Sequence, residues 1–143
     1  MKPQPFFLAW LVTATALFVL NGIFHGVVAA SFFDTQLSVL GNAVVKMKDF
    51  KPIPIVILEL VLDFCLVIII TRDRNEKVVM KEAVLIGGLF YLSTAITWSL
   101  ANAATLVAWP AIVTMVDGIW HFTTGMFAGW IIAKLYNLQF RVK

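Results

Sequence analysis

Four apolar runs, at about 6–30, 53–71, 83–108 and 111–133, divide the chain. Each is close to or above the roughly 20 residues that a helix needs to cross a ~30 Å hydrocarbon core. Hydrophobic residues make up 61% of the 143 residues and charged residues only 13%, against about a quarter charged in soluble domains. The mean hydropathy is +0.92. These values exclude a soluble globular domain. They predict an all-α integral membrane four-helix bundle with antiparallel up-down topology, a single transmembrane domain over 1–143 with helices about 6–33, 52–71, 79–108 and 110–136.

The first run is longer than the roughly 7 to 15 residues of a signal-peptide apolar region and carries Asn21 and His25, so it is expected to stay in the mature chain. The single cysteine, Cys65, permits no intramolecular disulfide and is expected as a small buried hydrophobe within the second helix. Pro52 and Pro54 stand where the second helix starts, a position at which a missing N–H costs little. Trp109-Pro110 makes a very tight turn between the last two helices, which must then be antiparallel neighbours.

Orientation follows from the distribution of bases. Lys2, Arg72, Arg74, Lys77, Lys81, Lys134, Arg141 and Lys143 would share one side against Lys46, Lys48 and Lys51 on the other. Eight against three places both termini in the cytoplasm, in a chain expected to be integral to a bacterial cytoplasmic membrane. These bases flank helices instead of forming a patch, so the expected partner is the lipid bilayer and not nucleic acid. In the outer connection Leu37, Leu40, Val44 and Met47 recur at helical spacing, which predicts a short amphipathic segment on the membrane surface, against the plainer reading of a loop with apolar anchors. Gly22/Gly26 and Gly125/Gly129 are spaced by four and let helix backbones approach. They mark either a contact between the first and last helices or the face of a homodimer or larger membrane complex.

Glu59, Asp63 and Asp117 lie within the apolar runs, which contain no Lys or Arg beside them. An ionised side chain at membrane depth costs at least ~2.5 to 3.5 kcal/mol, so each needs a proton, a hydrogen-bond donor or a cation. Depth reckoned at about 1.5 Å per residue gives two layers. The shallower holds His25, Glu59, Asn102 and Asp117; the deeper holds Asn21, Asp63, Trp98, Ser99 and His121. The pairs Asn21/His25, Glu59/Asp63 and Asp117/His121 are each spaced by four and so project from one helix face. Tyr91, Thr94, Trp98, Asn102 and Thr105 form a comparable stripe in the third helix. All four stripes are expected to face inward as one polar core in the outer half of the bundle.

Carboxylates and imidazoles gathered from several helices are the donors of bundle metal centres. Here His25, Glu59, Asp63, Asp117 and His121 would be the ligands, with Asn21, Tyr91, Trp98, Ser99 and Asn102 orienting them. The ion would be a divalent metal of the iron, zinc or manganese class. Haem held by His25 and His121 is less favoured, since the two differ in depth by several ångströms. A site binding such a metal or a small polar ligand suits a metal-dependent membrane enzyme acting on a lipophilic substrate. Three other readings stay open: acids that merely fix helix register, a non-catalytic accessory subunit of a larger membrane complex, and a proton-coupled small-solute transporter. Asn21-Gly22-Ile23-Phe24-His25 and Asp117-Gly118-Ile119-Trp120-His121 look alike, but both fall in the outer half, so no inverted repeat is inferred.

The run from Trp98 to Pro110, WSLANAATLVAWP, followed by Thr114-Met115-Val116-Asp117-Gly118-Ile119-Trp120, resembles a stretch in an uncharacterised family of small bacterial four-helix membrane proteins of unknown function. Phe18-Val19-Leu20-Asn21-Gly22-Ile23-Phe24 leading to Ser31-Phe32-Phe33 is similar as well, so the likeness covers about two-thirds of the chain. The resemblance implies the fold and topology. It also implies an Asp where this chain has Asn21 and Ser99, keeps Asp117, and makes His25, His121, Glu59 and Asp63 additions.

Overall fold

The computed structural model describes residues 3–43, 51–72, 77–106 and 108–140, and every regular element among them is helical. Helix α1 spans Pro3–Ile23 and runs directly into a π-helical turn, Phe24–Val28. After a bend at Ala29, helix α2 covers Ala30–Leu37 and a 3-10 segment covers Ser38–Ala43. Three long helices follow, α3 at Pro52–Thr71, α4 at Met80–Thr105 and α5 at Ala111–Asn137, and a 3-10 turn closes at Leu138–Phe140.

The stretch 6–33 is therefore not one helix. The Ala29 N–H donates to the Phe24 carbonyl at 2.7 Å, an i+5 bond that fits one residue more into the turn than an α-helix holds. Gly26, followed by β-branched Val27 and Val28, gives this turn little intrinsic preference for the α form. In the 3-10 segment Gly41 adopts φ 55°, a region open to glycine and strained for other residues. Val44 and Met47, part of the amphipathic pattern expected in this connection, lie outside the described residues.

Three helices are long and apolar enough to cross a membrane: Gln4–Val28, Pro52–Thr71 and Met80–Thr105. With 27 residues α5 has the length, but Asp117, His121 and Lys134 lower its apolar average. Helix α5 packs most extensively on α4 and also touches α1 and α3, while α1 lies against α3.

The α4–α5 seam is set by small residues. A Cβ on Gly87 would meet the Gly125 carbonyl oxygen, one on Gly125 would meet that of Gly87, and one on Gly129 would meet that of Ala83. Two antiparallel backbones touch here, as small-residue spacing by four allows. The Gly125/Gly129 face thus packs on α4, not on the first helix, and is filled within the chain. A Cβ at Gly22 would meet no side chain or neighbouring helix within 4 Å.

This seam fixes the rotation of α4, burying Ala83, Gly87, Tyr91, Ala95 and Ser99. The stripe expected to face inward does not do so as a whole, because Trp98 stands about 100° around the helix from Ser99 and is 64% exposed. The Thr94 and Thr105 hydroxyls donate to carbonyls of their own helix, those of Tyr91 and Ala101, both at 2.8 Å. In α3 the buried set Glu59, Asp63, Leu66, Val67 and Ile70 leaves Cys65 outside. Cys65 is exposed, not the buried hydrophobe expected from its place in the helix. At the end away from the polar residues, Phe6, Leu66, Ile70, Ile132 and Tyr136 build an apolar core. There the Asn137 side chain both accepts from the Val78 N–H at 2.8 Å and donates to its carbonyl at 2.9 Å, tying the approach to α4 onto the end of α5.

Replacing Gly87 by Leu must separate the two backbones and is expected to destabilise the fold by about 1–3 kcal/mol or more. Gly22→Ala is expected to be neutral or to stabilise by up to ~1 kcal/mol. Thermal unfolding in detergent compares the two, and a neutral Gly87→Leu would exclude the backbone contact.

Candidate functional site

The polar residues gather where α1 ends and α5 begins its second turn. Asp117 lies six residues into α5, about 9 Å along its axis from Ala111. Its Oδ1 is 2.8 Å from His25 Nε2 and 3.6 Å from His121 Nε2. One donor atom from each of His25, Asp117 and His121 lies within 4.8 Å of the others. Donors held 2.0–2.2 Å from one ion stand about 3–3.5 Å apart, so these three fit a single metal with little movement.

The protons of His25 follow from its neighbours. Nδ1 lies 3.0 Å from the Asn21 carbonyl oxygen, and a carbonyl only accepts, so Nδ1 carries the hydrogen. In a neutral ring Nε2 then presents its lone pair to a carboxylate oxygen 2.8 Å away. Two acceptors at that distance need a cation between them, either a proton or a metal. His121 adds to the demand: its 3.6 Å approach to Asp117 is too long for a hydrogen bond, and its Nδ1 is buried without a hydrogen-bond partner.

Glu59 and Asp63 form a neighbouring cluster and are not within this group of three. Asn21 joins the two clusters. Its Nδ2 donates to Glu59 Oε1 at 2.6 Å, its Oδ1 accepts from Trp120 Nε1 at 2.8 Å, and its carbonyl holds His25. Tyr91 donates to Glu59 Oε2 at 3.1 Å, and its ring lies parallel to that of His121 with centroids 6.1 Å apart. Asp63 is fully buried and interacts electrostatically with both Glu59 and Tyr91. Among the described residues no Lys or Arg pairs with Glu59, Asp63 or Asp117.

Of the residues expected to orient the site, Asn21 bonds to His25 and Glu59, and Tyr91 bonds to Glu59. Ser99 is buried with an unpartnered hydroxyl, Asn102 is half-buried without a side-chain bond to the site, and Trp98 faces outward. Trp120 and Phe24 are in the site although their residue types did not single them out. Phe24 stacks on Trp120 with ring centroids 4.0 Å apart and planes 6° from parallel, while Phe33 of α2 leans on His25 at 4.9 Å. The signal that could have found Trp120 is the likeness of the two pentapeptides, for Asn21 meets Trp120, Phe24 meets Trp120, and His25 meets Asp117. The wide turn Phe24–Val28 carries His25 toward α5, and π-turns of this kind recur at functional sites.

Apolar helices around a half-buried histidine–carboxylate group define a helical membrane protein of the polytopic kind. Over residues 6–134 the chain matches the family described as "Predicted membrane protein (DUF2177)", and it belongs to that family. Neither the curated proteins nor the solved structures include a significant match.

Asn21→Leu leaves the Trp120 N–H and Glu59 Oε1 unpaired and is expected to cost roughly 1–3 kcal/mol. Asn21→Leu/Glu59→Leu should cost less than the sum of its parts, by about 0.5 kcal/mol or more. A double-mutant cycle in detergent reads the coupling, and additivity would remove the bond from the network.

Proposed function

We propose that the chain is a four-helix bundle of the bacterial cytoplasmic membrane with both termini in the cytoplasm, and that His25, Asp117 and His121 hold one divalent transition metal in its outer half. The observation that carries this reading is the convergence of two imidazole nitrogens and a carboxylate oxygen within 4.8 Å. Mixed nitrogen and oxygen donors suit the zinc, iron and manganese class. The Asn21 carbonyl orients His25 and frees its Nε2 for an ion, the role outer partners have in metal sites. The excess of bases on one side, eight against three, supports the orientation. A haem is the less favoured reading, since both histidines already lie beside one carboxylate oxygen, Asp117 Oδ1, at 2.8 and 3.6 Å.

Three protein ligands leave coordination positions for water or a substrate. A bound metal would supply a polarising centre or an acidic water at neutral pH, and a lipophilic substrate is the class that reaches a site walled by lipid-exposed helices. On this reading Phe24, Phe33 and Trp120 exclude water beside His25. A Cβ at Gly22 would meet no side chain or neighbouring helix within 4 Å, which leaves one small-residue face open to a second copy or to a larger complex.

Metal analysis of the purified chain is expected to find about one transition metal per polypeptide, lost in Asp117→Ala and in His121→Ala. A wild-type chain that takes up no iron, zinc or manganese would end this reading. It would favour an accessory subunit if a partner co-purifies, and a transporter if reconstituted vesicles show uptake that Glu59→Gln abolishes.

A further inference from the structure

The metal proposed at the histidines leaves Asp63 unexplained. Its side chain is fully buried, and neither carboxylate oxygen has a hydrogen-bond partner. Such a group cannot rest unpaired in a low-dielectric interior. It is coupled electrostatically to Glu59, one helical turn before it, and to Tyr91, and among the described residues no Lys or Arg pairs with it.

We propose that Asp63, Glu59 and Tyr91 form a second cation site, distinct from the histidine group, that takes a hard ion of the Na⁺, Mg²⁺ or Ca²⁺ class. The donors are oxygens only: two from Asp63, two from Glu59 and one from Tyr91. All-oxygen sets of this kind select hard ions over those that prefer imidazole. The Tyr91 to Glu59 distance is 3.1 Å, longer than the 2.5–2.7 Å usual for a hydroxyl on a carboxylate. It matches the spacing of about 3 Å between adjacent oxygens on a shell of radius 2.1–2.3 Å. Asn21 holds the other Glu59 oxygen at 2.6 Å and so fixes the carboxylate plane from the α1 side. The site does not depend on a metal at His25, Asp117 and His121.

The test is thermal unfolding of the chelator-treated full chain in detergent, titrated with NaCl, MgCl₂ or CaCl₂ against choline chloride at constant ionic strength. Wild type and His121→Ala are expected to show a saturable rise in Tm of several degrees with one of the three cations. Asp63→Asn should lose it while still binding Zn²⁺, and Glu59→Gln serves as the second variant if Asp63→Asn does not fold. No saturable shift in wild type overturns the proposal, as does a shift that survives both Asp63→Asn and Glu59→Gln. A shift lost in His121→Ala but kept in Asp63→Asn would also overturn it and assign the ion to the histidine group, leaving the transition-metal reading standing.

Discussion

A carboxylate cannot face hydrocarbon, and this one prohibition decides how three of the long helices are turned. In α3, Glu59 and Asp63 share their buried face with Leu66, Val67 and Ile70, so the remaining residues of an almost wholly apolar helix are free to meet lipid. In α5, Asp117 and His121 occupy one face and the glycines at 125 and 129 continue the same row toward the end of the helix. Helix α1 turns Asn21 to Glu59 and His25 to Asp117. The apolar surface alone would not specify rotation, because hydrocarbon on the outside is no worse for leucine than leucine on the inside.

The fourth long helix, α4, obeys a different rule. Its rotation comes from backbone contact between Ala83, Gly87, Gly125 and Gly129, and its polar stripe is a by-product of that contact. Tyr91 reaches Glu59 because it stands one turn beyond Gly87, on the same row. Trp98 and Thr105 fall off the row and turn outward, where threonine can satisfy its own hydroxyl on the helix behind it.

The helical class and the apolar stretches were legible because length and hydropathy are properties of the chain alone. The contact of His25, Asp117 and His121 was legible in outline, since spacing by four puts each pair on one face. What spacing could not reveal was partition. Five candidate ligands read as one set; the two histidines and Asp117 bring a donor atom each within 4.8 Å, while Glu59 is bonded to Asn21 and Tyr91. Cys65 and Trp98 were misplaced for the same reason: a helix nearly uniform in hydropathy carries no phase, and phase is what separates inside from outside. The paired pentapeptides carried information that depth reckoning dismissed, because their meeting depends on tertiary approach and not on a repeat of topology.

The wide turn at Phe24–Val28 has a consequence for the chemistry beside it. A π turn holds a surplus residue, and the position of that surplus sets how the helix before it is rotated relative to the chain that follows. Moving it past His25 would swing the imidazole by about 100° and take it out of reach of Asp117. The proposed grip on a metal would thereby depend on the winding of the polypeptide itself.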